Sequence, residues 1–261
     1  MYLFAFLLIL HIIGDFYLQW NKLAKSKEAI FNAVASEGDE GSGKGAAGFG
    51  SLLLHVIIYL IPFLALIMLN ESPELKLIAA LLIIAISHFF IDLITLLLKQ
   101  VIKRTYAFML DQALHIAVLL IVLNAPNLRF HIPHWLVSYI VPFLVLAIII
   151  KPSSILINTI FQDLFNDEDS NVFGVASLVG IFERLIIISL LVLNSIPTIG
   201  IIIAAKTLVR YDQIKTDSDF RGKYLVGTLL SIAIPVLCFA FLKLAVLALS
   251  GRLIRDIFGF V

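Results

Sequence analysis

The sequence predicts an all-α protein of the membrane, a polytopic bundle of about eight spans with a polar His/Asp site inside the first four. Three observations predict it. The 261 residues are 61% hydrophobic and 14% charged, whereas a soluble domain averages about 25% charged. Apolar runs long enough for a helix to cross a bilayer recur along the chain. Inside those runs, histidine and aspartate repeat four residues apart, the spacing that puts two side chains on one helix face.

The spans read as roughly 2–20, 51–70, 76–98, 107–124, 134–151, 172–194, 197–210 and 224–249, helical because lipid offers an open backbone no other partner. They divide into a first half, residues 1–124, and a second half, residues 134–261. The first run lacks a basic leader and a small-residue cleavage motif, so it reads as a span and not a signal peptide. The loop after it is the one long loop. Its part Ser36–Gly50, rich in Gly, Ser and acid, reads as flexible. Gly41-Ser42-Gly43-Lys44 lacks the spacing and preceding strand of a phosphate-binding loop. Ser153–Phe165 is either an interfacial helix or a continuation of span five. Asn166–Asn171 is a polar break. The seventh span follows Pro197 and is short: tilted, re-entrant or one arm of a hairpin. Pro235 should kink the eighth.

A net charge of +1 argues against nucleic acid as a partner. The single cysteine, Cys238, excludes an internal disulfide and a cysteine-rich zinc site. Basic residues set orientation. Twelve (Lys22, Lys25, Lys27, Lys44, Lys99, Lys103, Arg104, Lys151, Arg210, Lys215, Arg221 and Lys223) fall on the odd loops, against Lys76, Arg129, Arg252 and Arg255 opposite. The odd loops are therefore expected in the cytoplasm, with both termini outside.

The pairs are His11/Asp15, His88/Asp92 and, reversed, Asp111/His115, with His55 alone on span two. At about 1.5 Å per residue, all seven lie roughly 6–15 Å from the cytoplasmic ends of their spans. Ionisable groups at that depth are expensive and point to function. Imidazole and carboxylate without thiolate suit a divalent metal: zinc foremost, manganese or iron also. Seven ligands exceed one tetrahedral zinc, so they fit two metals, or one metal with a base and orienting groups. Gln19 and Gln112, at similar depth, are expected to orient the ligands. The plainer alternative is interhelical hydrogen bonding, at about 0.6–2 kcal/mol for each contact. His131 and His134, on the outer side, are not expected to join the site.

A second constellation lies in the C-terminal half. Glu183 and Arg184 sit in mid-span as structural polar groups that require partners. Lys206 and Arg210, four apart, could hold an anion such as a lipid phosphate, or simply snorkel at the interface. Gly227 and Thr228 permit close helix approach.

The motifs His11-x-x-Gly-Asp15-Phe-x-x-Gln19, Leu54-His55, His88-x-x-Ile-Asp92 and Asp111-Gln-x-x-His115 resemble the first half of domain-of-unknown-function family 3307, a group of bacterial integral-membrane proteins. Glu183-Arg184, Ala204-Ala-Lys206-Thr-x-x-Arg210 and Tyr224-Leu-Val-Gly227-Thr-x-x-Ser231 resemble the second half of its longer members. The family implies no activity. The His-x-x-x-Asp pattern is also similar, over a short stretch, to inner-membrane proteins described as metal-dependent hydrolases.

The expected function is a membrane-embedded, metal-dependent hydrolase acting on a lipid or lipid-linked substrate from the cytoplasmic leaflet. Its metal would be held among His11, Asp15, His55, His88, Asp92, Asp111 and His115, with one of Asp15, Asp92 and Asp111 left as general base. The substrate's phosphate would meet Lys206 and Arg210. A metal or proton transporter and a non-catalytic scaffold are the alternatives.

Overall fold

In the computed structural model, residues 2–27, 39–70, 75–125, 132–166 and 175–258 are described. Every regular element among them is a helix: α1 (Tyr2–Ile12), a wide π-type turn (Ile13–Tyr17), α2 (Asn21–Lys27), α3 (Asp39–Met68), α4 (Leu75–Leu98), α5 (Arg104–Leu123), α6 (His134–Ile150), α7 (Pro152–Phe165), α8 (Val175–Val192), α9 (Ile196–Val209), α10 (Tyr211–Thr216) and α11 (Ser218–Phe258). Two compact units divide the chain, residues 1–140 and 141–261.

Among the described residues five helices are long and apolar enough to cross a membrane, or six if the bent pair at the N-terminus is one span. Hydropathy predicts eight. The first expected span is not straight: the segment Tyr2–Tyr17 and helix α2 meet at 83°. Span five does not stop at Lys151. It continues through Ser153–Phe165 as one apolar stretch, His134–Phe165. The seventh expected span is the 14-residue helix α9. Asn194 takes a left-handed conformation between α8 and α9, and the Ser195 N–H returns to the Leu190 carbonyl at 2.8 Å. Such a turn ends α8 and lets the chain start α9 directly after it. α11 continues through Pro235.

The Gly/Ser-rich stretch corrects an expectation. From Asp39 on it forms the first turns of α3 and not a loop. Residues 36–38 lie outside the described residues, as do His131, Arg129 and most of the polar break after Asn166.

In the first unit α4 packs on both α3 and α5, and α1 packs on the same two helices. These helices are inverted relative to soluble ones. On α4, Ile86, Phe90 and Ile94 are at least half exposed, while His88 and Asp92 are 1% and 9% exposed. An apolar exterior with a polar interior is what lipid selects.

In the second unit, Val145 and Ile149 of α6 pack with Ile187, Ile188 and Leu191 of α8 and Ile199 of α9. Arg184, buried in α8, donates from Nε to the Ile149 carbonyl at 3.0 Å and from Nη2 to Ser154 Oγ at 2.6 Å. Pro152, with no N–H, interrupts the backbone ladder between α6 and α7. The guanidinium therefore sits on the carbonyl end of α6, where a cation is favoured. The Ser153 hydroxyl also donates to the Ile149 carbonyl. Arg184→Met should cost about 1–3 kcal/mol, because buried acceptors lose their donor. A lower thermal midpoint in detergent with unchanged metal content would show it.

Candidate metal centre

The seven residues come together in the first unit from four helical segments. His11 is the second-last residue of α1 and Asp15 lies in the π-type turn, which is closed by the Leu18 N–H on the Ile13 carbonyl at 2.9 Å. His55 comes from α3, His88 and Asp92 from α4, Asp111 and His115 from α5. All four histidines are buried, His11 and His55 completely.

His55 Nε2 is the focus. It lies 3.1 Å from His88 Nε2, 3.3 Å from Asp15 Oδ1 and 3.5 Å from Asp92 Oδ2. His88 Nε2 is 3.7 Å from Asp92 Oδ1. One ligand atom from each of Asp15, His55, His88 and Asp92 lies within 4.8 Å of every other. An imidazole nitrogen carries at most one proton, so His55 Nε2 cannot donate to three acceptors. His55 Nδ1 has no hydrogen-bond partner among the described residues. Ligands around a tetrahedral zinc, at bonds of about 2.0–2.1 Å, stand about 3.3 Å apart. The cluster could thus hold a metal ion.

Two further groupings overlap this one: Asp15 with Asp111 and His115, and His11 with His88 and His115. His115 Nε2 lies 3.4 Å from Asp92 Oδ1 and 3.6 Å from Asp111 Oδ1. His115 Nδ1 is 3.3 Å from His88 Nδ1.

Around the cluster a set of hydrogen bonds fixes rotamers. Gln112 Nε2 donates to Asp15 Oδ2 at 3.1 Å and to Asp111 Oδ2 at 3.0 Å, while its Oε1 faces His11 Nε2 at 3.2 Å. Thr95 donates to Asp111 Oδ1 at 2.7 Å. The Tyr59 hydroxyl lies 3.1 Å from His11 Nδ1, and its ring stacks flat on His88 with centroids 3.6 Å apart. Lys27 Nζ donates to Asp92 Oδ2 at 2.8 Å. Gln19 bridges Lys27 Nζ at 2.9 Å and the Asp15 carbonyl at 3.0 Å when its amide oxygen faces the ammonium.

Tyr59, Thr95 and Lys27 join the site although sequence patterning does not single them out. Tyr59 stands four residues after His55 and Thr95 three after Asp92, the same-face spacings that expose the His/Asp pairs. Lys27 has the sequence signature of a loop cation; the turn of α2 brings it back to Asp92. Without it the basic bias of the odd loops is still eleven to four.

Glu183, Arg184, Lys206 and Arg210 stand in the second unit, and His134 is the first residue of α6. Lys206 Nζ pairs with Glu183 at 2.7 Å. Arg210 Nη1, exposed, donates to Gln213 at 2.9 Å. Gly227 packs closely against Phe161: a Cβ there would stand 3.2 Å from its ring.

Residues 3–138 match the family described as "Protein of unknown function (DUF3307)". The match holds the whole His/Asp cluster, whereas Glu183, Arg184, Lys206 and Arg210 lie beyond it. No curated protein and no solved structure matches. With just over half of its length matched, this chain belongs to the DUF3307 family.

Proposed function

We propose that the protein is a membrane-embedded, metal-dependent hydrolase acting on a lipid or lipid-linked substrate from the cytoplasmic leaflet. One observation carries the reading: His88 Nε2, Asp15 Oδ1 and Asp92 Oδ2 crowd His55 Nε2, whose one proton cannot serve all three, and Lys27 supplies a donor only to Asp92 Oδ2. Hydrogen-bonding glue would pair donors with acceptors; this site has a surplus of acceptors. A divalent ion there, zinc foremost, would supply a Lewis acid and a water of lowered pKa.

Asp111 is the aspartate left outside the four-atom set. Thr95 and Gln112 hold its carboxylate, and at 19% its side chain is the most exposed of the three aspartates. In this reading it accepts the proton of an attacking water. His11 and Tyr59 touch the ligands and each other, and serve to orient them. Burial inside the bundle suits a substrate that arrives from the lipid phase.

The test uses full-length protein stripped of metal and reloaded with zinc or manganese, incubated with bacterial membrane lipids, products read by mass spectrometry. Metal-dependent release of a headgroup or acyl chain is expected. Asp111→Asn should keep its metal and lose about 10²–10⁴-fold in rate. Undiminished turnover by the stripped protein would defeat the proposal, and so would no turnover after reloading.

A further inference from the structure

We propose that Lys27 is the anion-binding residue of this centre, and that the bond hydrolysed belongs to a phosphate ester. Both parts rest on the metal reading above, because without a divalent ion the site would keep two negative charges.

Lys27 brings an ammonium group directly onto the cluster, at Asp92. Its side chain is only 12% exposed. Of its three N–H donors, one meets Asp92 and one meets Gln19, and among the described residues the third has no acceptor and is left for an incoming one. The carboxylates of Asp15, Asp92 and Asp111 with Lys27 leave two negative charges when the imidazoles are neutral. One divalent ion brings the site to zero. A neutral site in a low-dielectric interior can receive an anion; the same site without the ammonium would carry a net negative charge and repel it. A neutral ester or amide needs no such residue. The lysine is thus informative about the substrate.

Its location agrees. Helix α2 leaves the first span at 83°, so it runs across the direction of that span. Leu23 is buried, while Lys22, Lys25 and the preceding Trp20 are more open. Tryptophan and lysine flanking a buried leucine mark an interfacial helix, and lysines there attract anionic headgroups. Lys27 is the residue of that helix that reaches the buried cluster.

In the reaction, the oxygen of water forms a bond to phosphorus as the bond from phosphorus to the leaving alcohol oxygen breaks. The proton given up by the water passes through Asp111 to the departing alkoxide. No oxidation state changes, and Lys27 holds a non-bridging phosphate oxygen throughout.

The experiment is calorimetric titration of full-length, zinc-loaded protein in a neutral detergent. The probes are dihexanoyl phosphatidic acid, inorganic phosphate and dihexanoylglycerol. Wild type is expected to bind the first and not the neutral lipid. Lys27→Met should weaken that binding at least tenfold with metal content unchanged, and Lys27→Arg should retain most of it. Phosphate bound as tightly as the lipid would identify free phosphate as the ligand; weaker binding would identify a headgroup. Both support the anion site. Equal affinity in Lys27→Met, loss of metal along with affinity, or preference for the neutral lipid would overturn it. A protein that takes up no metal would remove the hydrolase and this inference together. Full metal occupancy without Lys27-dependent binding would overturn this inference alone and leave the hydrolase standing.

Discussion

His88→Ala is expected to purify with less than about a tenth of the wild-type metal and to fail to reload, because it removes a direct ligand, whereas loss of an outer partner typically costs roughly 10–100-fold in affinity. Several contacts converge on this ring. Its Nε2 joins the four-atom set, its Nδ1 faces His115, and Tyr59 stacks on its face. Alanine leaves an unfilled space between helices and strips neighbouring imidazole and carboxylate groups of their partner. His11→Ala supplies the contrast. His11 touches Tyr59 and Gln112 but stands outside the Asp15, His55, His88 and Asp92 set. It should keep its metal at high concentration with affinity lowered by roughly 10–100-fold. Elemental analysis and competition with a chelator measure both. Equal metal in wild type and His88→Ala would remove the four-atom set as the binding site. No metal in any sample would return the cluster to interhelical hydrogen bonding.

One rule makes this site legible. In lipid a buried charge must have a reason, and same-face spacing shows which charges act together. That makes His11, Asp15, His88, Asp92, Asp111 and His115 visible without coordinates. It leaves Tyr59 and Thr95 unremarked, because a hydroxyl in an apolar helix is cheap enough to need no explanation. Lys27 cannot be found this way. Its approach depends on an 83° turn that neither hydropathy nor periodicity encodes. Span counting is limited, since hydropathy reports how apolar a run is and not where its helix bends. The run from His134 to Phe165 looks divided at Lys151-Pro152, where one charge and one missing N–H resemble a boundary. Arg184, itself expected to need a partner, supplies the donors that carry the chain through that point. The glycines of Asp39–Gly50 read as loop residues, yet they open α3, where helix propensity is a weak prior that context overrides.

Gly14→Ala is the second large effect, and it arises where the first span departs from regular helix. The wide turn at Ile13–Tyr17 gives room for Asp15 to face the cluster, a use of π-type turns frequent at functional sites. It also lays the backbone of residue 14 directly on α3. A methyl group at Gly14 would stand 2.7 Å from the Tyr59 carbonyl oxygen, 2.8 Å from Tyr59 Cδ2 and 3.1 Å from Tyr59 Cα. Two of these atoms belong to the backbone and cannot rotate away. Alanine gains about 1 kcal/mol over glycine in helix propensity, but overpacking costs typically 1–3 kcal/mol, occasionally more. With contacts this short the upper end applies, so a net loss of about 2 kcal/mol is expected. Gly200→Ala is the internal control: nothing lies within 4 Å of a Cβ there, and only the propensity term should appear. Thermal unfolding of both variants in the same detergent measures the difference. The damage should not stop at stability. Relief of the clash moves Tyr59, which stacks on His88 and bonds His11, so Gly14→Ala should also bind zinc more weakly although it alters no ligand. Wild-type stability and wild-type zinc affinity in Gly14→Ala would mean that α1 and α3 are not held this close, and that the cluster owes its geometry to something other than the close approach of these two helices.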